Sequence, residues 1–216
     1  MIRILENNTS ILNQYLIEIR DKEIQKNRIV FRNNIERIGE ILAYEISKEL
    51  NYDDVIINTP LGESNEHDLE SQPIILSILR AGIPLHNGIL KIFDKARSGF
   101  IAASRVHSDK LETKVDLSYE SWPSLDNETI ILADPMLATG TSLRKTIDSI
   151  LSGSNPKSFH VACVIAYEGA LKALQKEYPN INFWTAAVDK ELNEKNYIIP
   201  GLGDAGDLAF GTKIQK

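Results

Sequence analysis

Strand-length apolar runs alternate with helix-patterned stretches along most of this chain, and this alternation restricts the fold more than any other feature. The runs are DVIIN (54–58), PIILSIL (73–79), GFIAAS (99–104), TIILAD (129–134), FHVACVIAY (159–167) and INFWTAAV (181–188). Each is of strand length. Between several of them lie IPLHNGILKIF (83–93), SLRKTIDSILSG (142–153) and EGALKALQKEY (168–178), which have helical spacing. Pro84 suits a first helical turn. Strand and helix in alternation predict an α/β fold, a Rossmann-like parallel sheet flanked by helices. Two amphipathic stretches precede it within 9–50. TSILNQYLIEIRDKEIQKN (9–27) carries Ile11, Leu12, Tyr15, Leu16 and Ile19 on one face, with Thr9 or Ser10 as N-cap. FRNNIERIGEILAYEISKEL (31–50) repeats the pattern.

A chain of 216 residues is long enough for one such domain with a sizeable core. No linker, repeat or low-complexity tract divides it, so residues 1–216 read as a single domain with its core at about 54–190. The net charge is −6 and no dense Lys/Arg cluster occurs, which argues against nucleic acid as the main partner. The single cysteine, Cys163, lies in an apolar run and reads as a buried packing residue. The N-terminus has no signal-peptide pattern, and no run reaches the roughly 18 apolar residues of a membrane span. These features predict a cytoplasmic protein with no membrane partner.

Two stretches fit the alternation less well. Residues 105–128 are long for a plain connection, and KVDLSYE alternates, so a β-arm is expected that serves as lid, dimerisation hairpin or both. The last stretch, NYIIPGLGDAGDLAFGTKIQK (196–216), is glycine-rich but studded with Ile198, Ile199, Leu202, Leu208 and Phe210, which predicts packing. His67, His86, His107 and His160 show no metal spacing, and Trp122 and Trp184 read as packing residues.

Ligands of open parallel sheets bind beyond the carboxyl ends of the strands, and three loops there could carry chemistry. Ser77-Ile-Leu-Arg80-Ala-Gly82 puts a guanidinium and bare amides at one strand end, as a diphosphate would require. Taken alone, the stretch reads more simply as a surface arginine at a turn, with Gly82 ending the strand. Asp134-Pro135-Met136-Leu137-Ala138-Thr139-Gly140-Thr141-Ser142 leads from a strand into a helix. Its small residues and hydroxyls suit a phosphate at the helix N-terminus, and its acid suits a ribose diol. A carboxylate that merely caps the helix is the competing reading. The segment lacks the Gly-Lys-Ser/Thr ending of a triphosphate loop and has no GxGxxG. GLGDAGD (201–207) exposes backbone donors and acceptors around Asp204, fit for a planar heterocycle.

Together these segments resemble the uracil phosphoribosyltransferases. Asp134–Ser142 looks like their phosphoribosyl-diphosphate loop, Ile78-Leu-Arg-Ala-Gly82 like their diphosphate loop, and Tyr197-Ile-Ile-Pro-Gly-Leu-Gly-Asp-Ala-Gly-Asp207 like their uracil loop. Phe210-Gly-Thr212 matches the family's ending, and Thr59-Pro-Leu61 and Glu168-Gly169 are weaker matches. The resemblance implies a type I phosphoribosyltransferase fold with a small hood, formed by 196–212, and a β-arm. It implies that Arg80 and Arg105 meet the diphosphate, and that Asp134, Pro135, Met136, Leu137, Ala138, Thr139, Gly140, Thr141 and Ser142 hold the ribose 5-phosphate. Ile198, Gly203, Asp204 and Ala205 would hold uracil. Asp204 also faces the phosphoribosyl substrate and, with Arg80 and Arg105, forms the catalytic group. Mg²⁺ would be held mainly by the diphosphate, with no direct protein ligand. Homodimers or higher oligomers are implied, as is activation by GTP in some members.

The chain departs from the family pattern at two points. Thr141 stands where many relatives have glycine, which requires a negative φ there. Ser104-Arg105-Val106-His107 replaces a more acidic sequence. Rival functions are an enzyme acting on a purine or orotate, a pyrimidine-sensing RNA-binding regulator on the same fold, and an inactive binding module.

Overall fold

The computed structural model describes residues 1–107 and 113–212, with backbone alone at 104–107 and 113–116. The elements in chain order are β1 (Ile2–Ile4), α1 (Ile11–Arg20), α2 (Arg28–Ser47), β2 (Tyr52–Thr59), β3 (Gly62–Leu69), β4 (Ile74–Leu79) and α3 (Ile83–Ile92). They continue with β5 (Arg97–His107), β6 (Thr113–Ser121), β7 (Thr129–Ala133), β8 (Met136–Leu137), α4 (Thr141–Gly153), β9 (Ser158–Tyr167) and α5 (Glu168–Glu177). The chain then forms β10 (Ile181–Asp189), β11 (Glu191–Leu192), β12 (Ile198–Ile199) and α6 (Ala205–Phe210).

The main sheet has the order β1-β10-β9-β7-β4-β5-β6, with β8 added to β9. Its pairs are parallel apart from β5–β6. From β4 the chain winds through α3 to β5 on one side, and from β7 through α4 to β9 on the other. The order therefore reverses between β4 and β7, and in doubly wound sheets the crevice forms at such a point. Two cores cover the sheet. Ile75 and Ile131 pack with α1, α2 and α3. Their neighbours Ile74, Leu76, Ile130 and Leu132 pack with α4 and α5. This is the period-two alternation of strands buried on both faces.

The first predicted helix is shorter than its pattern. Ser10 caps α1, but the helix ends at Arg20. Asp21 accepts hydrogen bonds from the amides of Glu23 and Ile24, and this local turn competes with further helix. The second helix starts earlier than expected, because the Asn27 side chain accepts from the Ile29 and Val30 amides. β1 was not anticipated; its three residues extend the sheet edge beside β10.

DVIIN forms a strand, but not one of the parallel sheet. β2 and β3 make a separate antiparallel hairpin, in register from Tyr52–Leu69 to Thr59–Gly62. Ile56 is 70% exposed and Leu61 fully exposed. The run is flanked by Tyr52-Asp53-Asp54 and faces GESNEHDL, so it lacks the two apolar faces that a central parallel strand needs. The 105–128 arm is a hairpin where it is described, as β5 turns back into antiparallel β6. Its tip, 108–112, lies outside the described residues. In the C-terminal stretch Ile198 and Leu202 are buried and Leu208 packs on the core. Ile199 and Phe210 are exposed, against expectation. Ile199 follows buried Ile198 on a strand, and alternation turns it outward.

His86 and His160 are buried. His86 lies beside Ser98, with 3.2 Å between its Nε2 and the Ser98 Oγ, and His160 Nδ1 accepts a hydrogen bond from Trp184 Nε1 at 3.1 Å. Burial pushes both imidazoles down to about 4. A histidine whose folded value lies below its unfolded one resists protonation in the native state. The unfolded chain then binds more protons, and stability falls as the pH drops from about 6.5 towards 4. Depressions of this size correspond to roughly 3 kcal/mol per imidazole. Thermal melts across that window should show a steep loss of stability, and the His86→Phe/His160→Phe chain should lose less.

Candidate active site

The Asp134–Ser142 loop and the C-terminal hood line one cleft beyond the carboxyl ends of β4 and β7. The first half of the loop, 134–137, is sewn to β9. The Asp134 amide donates to the Ala162 carbonyl at 3.1 Å, and the Pro135 carbonyl accepts from the Val164 and Ile165 amides at 3.0 Å each. β8 then pairs with Ile165 and Ala166. Gly140, with φ 76°, turns the chain into α4. An L side chain is strained in that region, so glycine is the residue the turn requires.

At the start of α4 the Thr139 Oγ1 accepts from the Thr141 amide at 3.4 Å. The Asp134 Oδ1 lies 3.5 Å from the Met136 amide and its carboxylate borders the cleft. Thr139, Thr141 and Ser142 also line the cleft, and the Thr139 and Thr141 hydroxyls are 3.1 Å apart. A helix start with hydroxyls around it is suited to a phosphate. Thr141 carries no strain: it opens α4, and among the described residues other than glycine only Asn127 and Asn196 have positive φ.

The hood supplies the opposite wall. Asn193 Oδ1 accepts from the Lys195 and Tyr197 amides at 2.9 Å each, forming the tight turn that joins β11 to β12. Lys195, Asn196 and Tyr197 consequently line the cleft with Ile198, Gly203, Asp204, Ala205 and Gly206. Sequence reasoning did not single out Lys195 or Asn196; the turn composition of Asn193-Glu-Lys-Asn196 was the available signal. Asp204 caps α6, its Oδ1 accepting from the Asp207 amide at 3.0 Å.

The predicted residues thus converge, with three exceptions. Pro135 is buried behind the loop and does not line the cleft. Arg80 stands beside the cleft, next to its lining residues Ala81 and Gly206. Its Nη2 donates to Asp207 Oδ1 and to the Gly211 carbonyl, both at 3.2 Å, which ties the β4 loop to the hood. Arg105 lies on β5 opposite Val115, and its side chain is outside the described residues. Cys163 is buried behind Asp134; burial first, and the Asp134 charge second, push its thiol well above the ordinary range and keep it protonated. Among the described residues no group of three His, Cys, Asp or Glu side chains could hold a metal ion.

A switch-point cleft with a phosphate-suited helix start and an acid at the preceding strand end defines a type I phosphoribosyltransferase. Solved structures agree at the level of fold: adenine phosphoribosyltransferase from Trypanosoma brucei has a TM-score of 0.58 at 14% identity, covering 90% of this chain and 87% of that one. A hypoxanthine phosphoribosyltransferase from Staphylococcus aureus has a TM-score of 0.52 at 16% identity, covering 74% and 76%. The AQ2163 protein from Aquifex aeolicus superposes over the whole of both chains, with a TM-score of 0.87 at 28% identity.

The chain belongs to the uracil phosphoribosyltransferase family, whose family model matches residues 6–212. The uracil phosphoribosyltransferase of Porphyromonas gingivalis is 41% identical over 206 residues, 95% of each chain. That of Sulfolobus acidocaldarius is 42% identical over 211 residues, 93% of this chain and 96% of its own. No helix among the described residues is long and apolar enough to cross a membrane.

Proposed function

We propose that this chain transfers the 5-phosphoribosyl group of phosphoribosyl diphosphate to uracil, giving UMP and diphosphate. One observation carries the reading: the Asp134–Ser142 loop and the Ile198–Ala205 loop line the same cleft. A nucleoside monophosphate needs both a phosphate cradle and a base pocket. In the reaction the bond from the anomeric carbon to the diphosphate oxygen breaks. A bond to the uracil ring nitrogen forms, and that nitrogen loses its proton. Residues 138–142 hold the 5-phosphate and Asp134 the ribose hydroxyls, which fixes the sugar for attack. Arg80 and Arg105 neutralise the leaving diphosphate. Backbone groups of Ile198, Gly203 and Ala205 orient uracil, and the Asp204 carboxylate offsets positive charge on the sugar or takes the uracil proton. The family match gives no support to the RNA-binding alternative.

Magnesium fits this site as a substrate-borne ion. The cleft offers the carboxylates of Asp134 and Asp204 but no three-acid cluster among the described residues. Mg²⁺ is commonly bound by one or two carboxylates together with substrate phosphates. Held there by the diphosphate, it would supply charge neutralisation of the leaving group. Activation by GTP rests on family resemblance, while a cytoplasmic setting, a single domain over 1–216 and a lid or dimerisation role for the 105–128 arm rest on the sequence pattern; together they complete the reading.

A homodimer is supported by the β2–β3 hairpin. A two-stranded ribbon is marginal by itself, and this one exposes Tyr52, Ile56, Ile57 and Leu61. Ile56→Asp/Leu61→Asp should shift the sedimenting species from dimer towards monomer, whereas an unchanged dimer would remove this hairpin from the interface.

UMP spans both loops and so tests the site. Calorimetric titration should show UMP binding that is lost in Gly140→Val, at the phosphate end, and in Ala205→Val, at the base end. Full binding in either variant would mean that the loop concerned is not part of the site.

A further inference from the structure

The base loop is held from outside the cleft by a pair of charged residues far away in the chain. Arg20 is the last residue of α1 and Asp189 the last of β10. Their side chains meet face to face, with Nη1 to Oδ2 at 2.8 Å and Nη2 to Oδ1 at 3.0 Å. Both are largely withdrawn from solvent, at 22% and 8% exposed. The paired groups also grip the backbone of Gly201. Its amide donates to Asp189 Oδ2 at 3.0 Å, and its carbonyl accepts from Arg20 Nη1 at 3.1 Å. One peptide segment thus has its donor and its acceptor satisfied by the two halves of one ion pair.

Gly201 is the point at which such a grip has leverage. Its φ is 55°, and a Cβ there would collide with the Ile198 carbonyl. That carbonyl therefore lies directly against the Gly201 backbone. Ile198 and Gly203, on either side, line the cleft, whereas Arg20 and Asp189 do not. Fixing Gly201 fixes the spacing between the two cleft-lining segments. Charge-assisted, bidentate bonds of this kind add geometric specificity as well as energy.

We propose that Arg20 and Asp189 are positioning residues for the base: they clamp Gly201 and so set where Ile198 and Gly203 present their backbone groups to uracil. The proposal rests on the reading of 198–205 as the base site. The pair touches no substrate and does not act on the diphosphate or the 5-phosphate.

The test is steady-state kinetics on Arg20→Lys, Asp189→Asn and the double variant, with Ala205→Val as a control inside the base loop. Lysine keeps the charge but gives up the planar fork that meets both Asp189 oxygens while reaching the Gly201 carbonyl. Asparagine keeps an acceptor for the Gly201 amide but gives up the ion pair. Each single variant should raise the KM for uracil about tenfold, the cost of a charged hydrogen bond, and leave the KM for phosphoribosyl diphosphate within about twofold. The double variant should match the worse single, because the residues act as one unit. A lowered melting temperature with both KM values unchanged would make the pair merely structural and overturn the proposal. So would an equal rise in both KM values. If Ala205→Val raises the uracil KM and the clamp variants do not, the clamp falls while the base-site reading stands. If none of the variants moves it, both fall. Should Asp189→Asn fail to fold, Arg20→Lys decides alone, since Arg20 is the more exposed partner.

Discussion

Asp204→Asn is expected to lower turnover by roughly 10²–10³-fold, the scale of removing one electrostatic contact to a developing charge. The fold should survive. Asp204 caps α6 through Oδ1, and asparagine caps a helix about as well as aspartate, so the local bond to the Asp207 amide can be kept. The substitution therefore isolates the carboxylate's charge from its structural duty. A large fall in kcat with a melting temperature close to that of the parent chain is the expected pattern. Near-parental turnover in the purified variant would remove Asp204 from the chemistry.

Arg80→Ala is expected to have an effect of similar size, roughly 10²–10³-fold, if the guanidinium neutralises the leaving diphosphate. Its stability cost should be small. The Arg80–Asp207 pair is well exposed, at 41% and 29%, and exposed pairs contribute about 1 kcal/mol or less. The contact nevertheless has a functional reading. Arg80 joins the β4 loop to α6 and to Gly211, so the residue that would meet the diphosphate also touches the hood carrying the base loop. Turnover should be measured beside diphosphate inhibition: the variant should lose both. Retained inhibition by diphosphate would assign the leaving group to other residues.

Much of this arrangement was legible in the chain. The alternation of Ile- and Val-containing runs with amphipathic stretches predicted the parallel sheet, because strands buried on both faces have to be apolar throughout. The small, hydroxyl-bearing run after Asp134 predicted a helix start suited to a phosphate, and Gly140 rather than Thr141 proved to carry the left-handed turn. Other features lay beyond sequence reasoning. DVIIN has the apolar centre of a core strand, and its acidic start together with its polar partner strand shows that it cannot be buried on both sides. β1 is three residues long, too short for any period to register. Lys195 and Asn196 reach the cleft because Asn193 closes a turn beneath them, a side-chain-to-backbone bond that composition only hints at. The Arg20–Asp189 clamp joins residues 169 apart, and nothing local in either segment announces the other.

The central claim is that a phosphate cradle and a uracil pocket share one cleft and act on one pair of substrates. Its most direct test is product formation by the purified chain from phosphoribosyl diphosphate and Mg²⁺ with uracil, cytosine, orotate or hypoxanthine supplied separately. The account predicts UMP and diphosphate in equal amounts from uracil, with far lower turnover of the other three bases. Comparable turnover of orotate or hypoxanthine, or none with uracil, would contradict it.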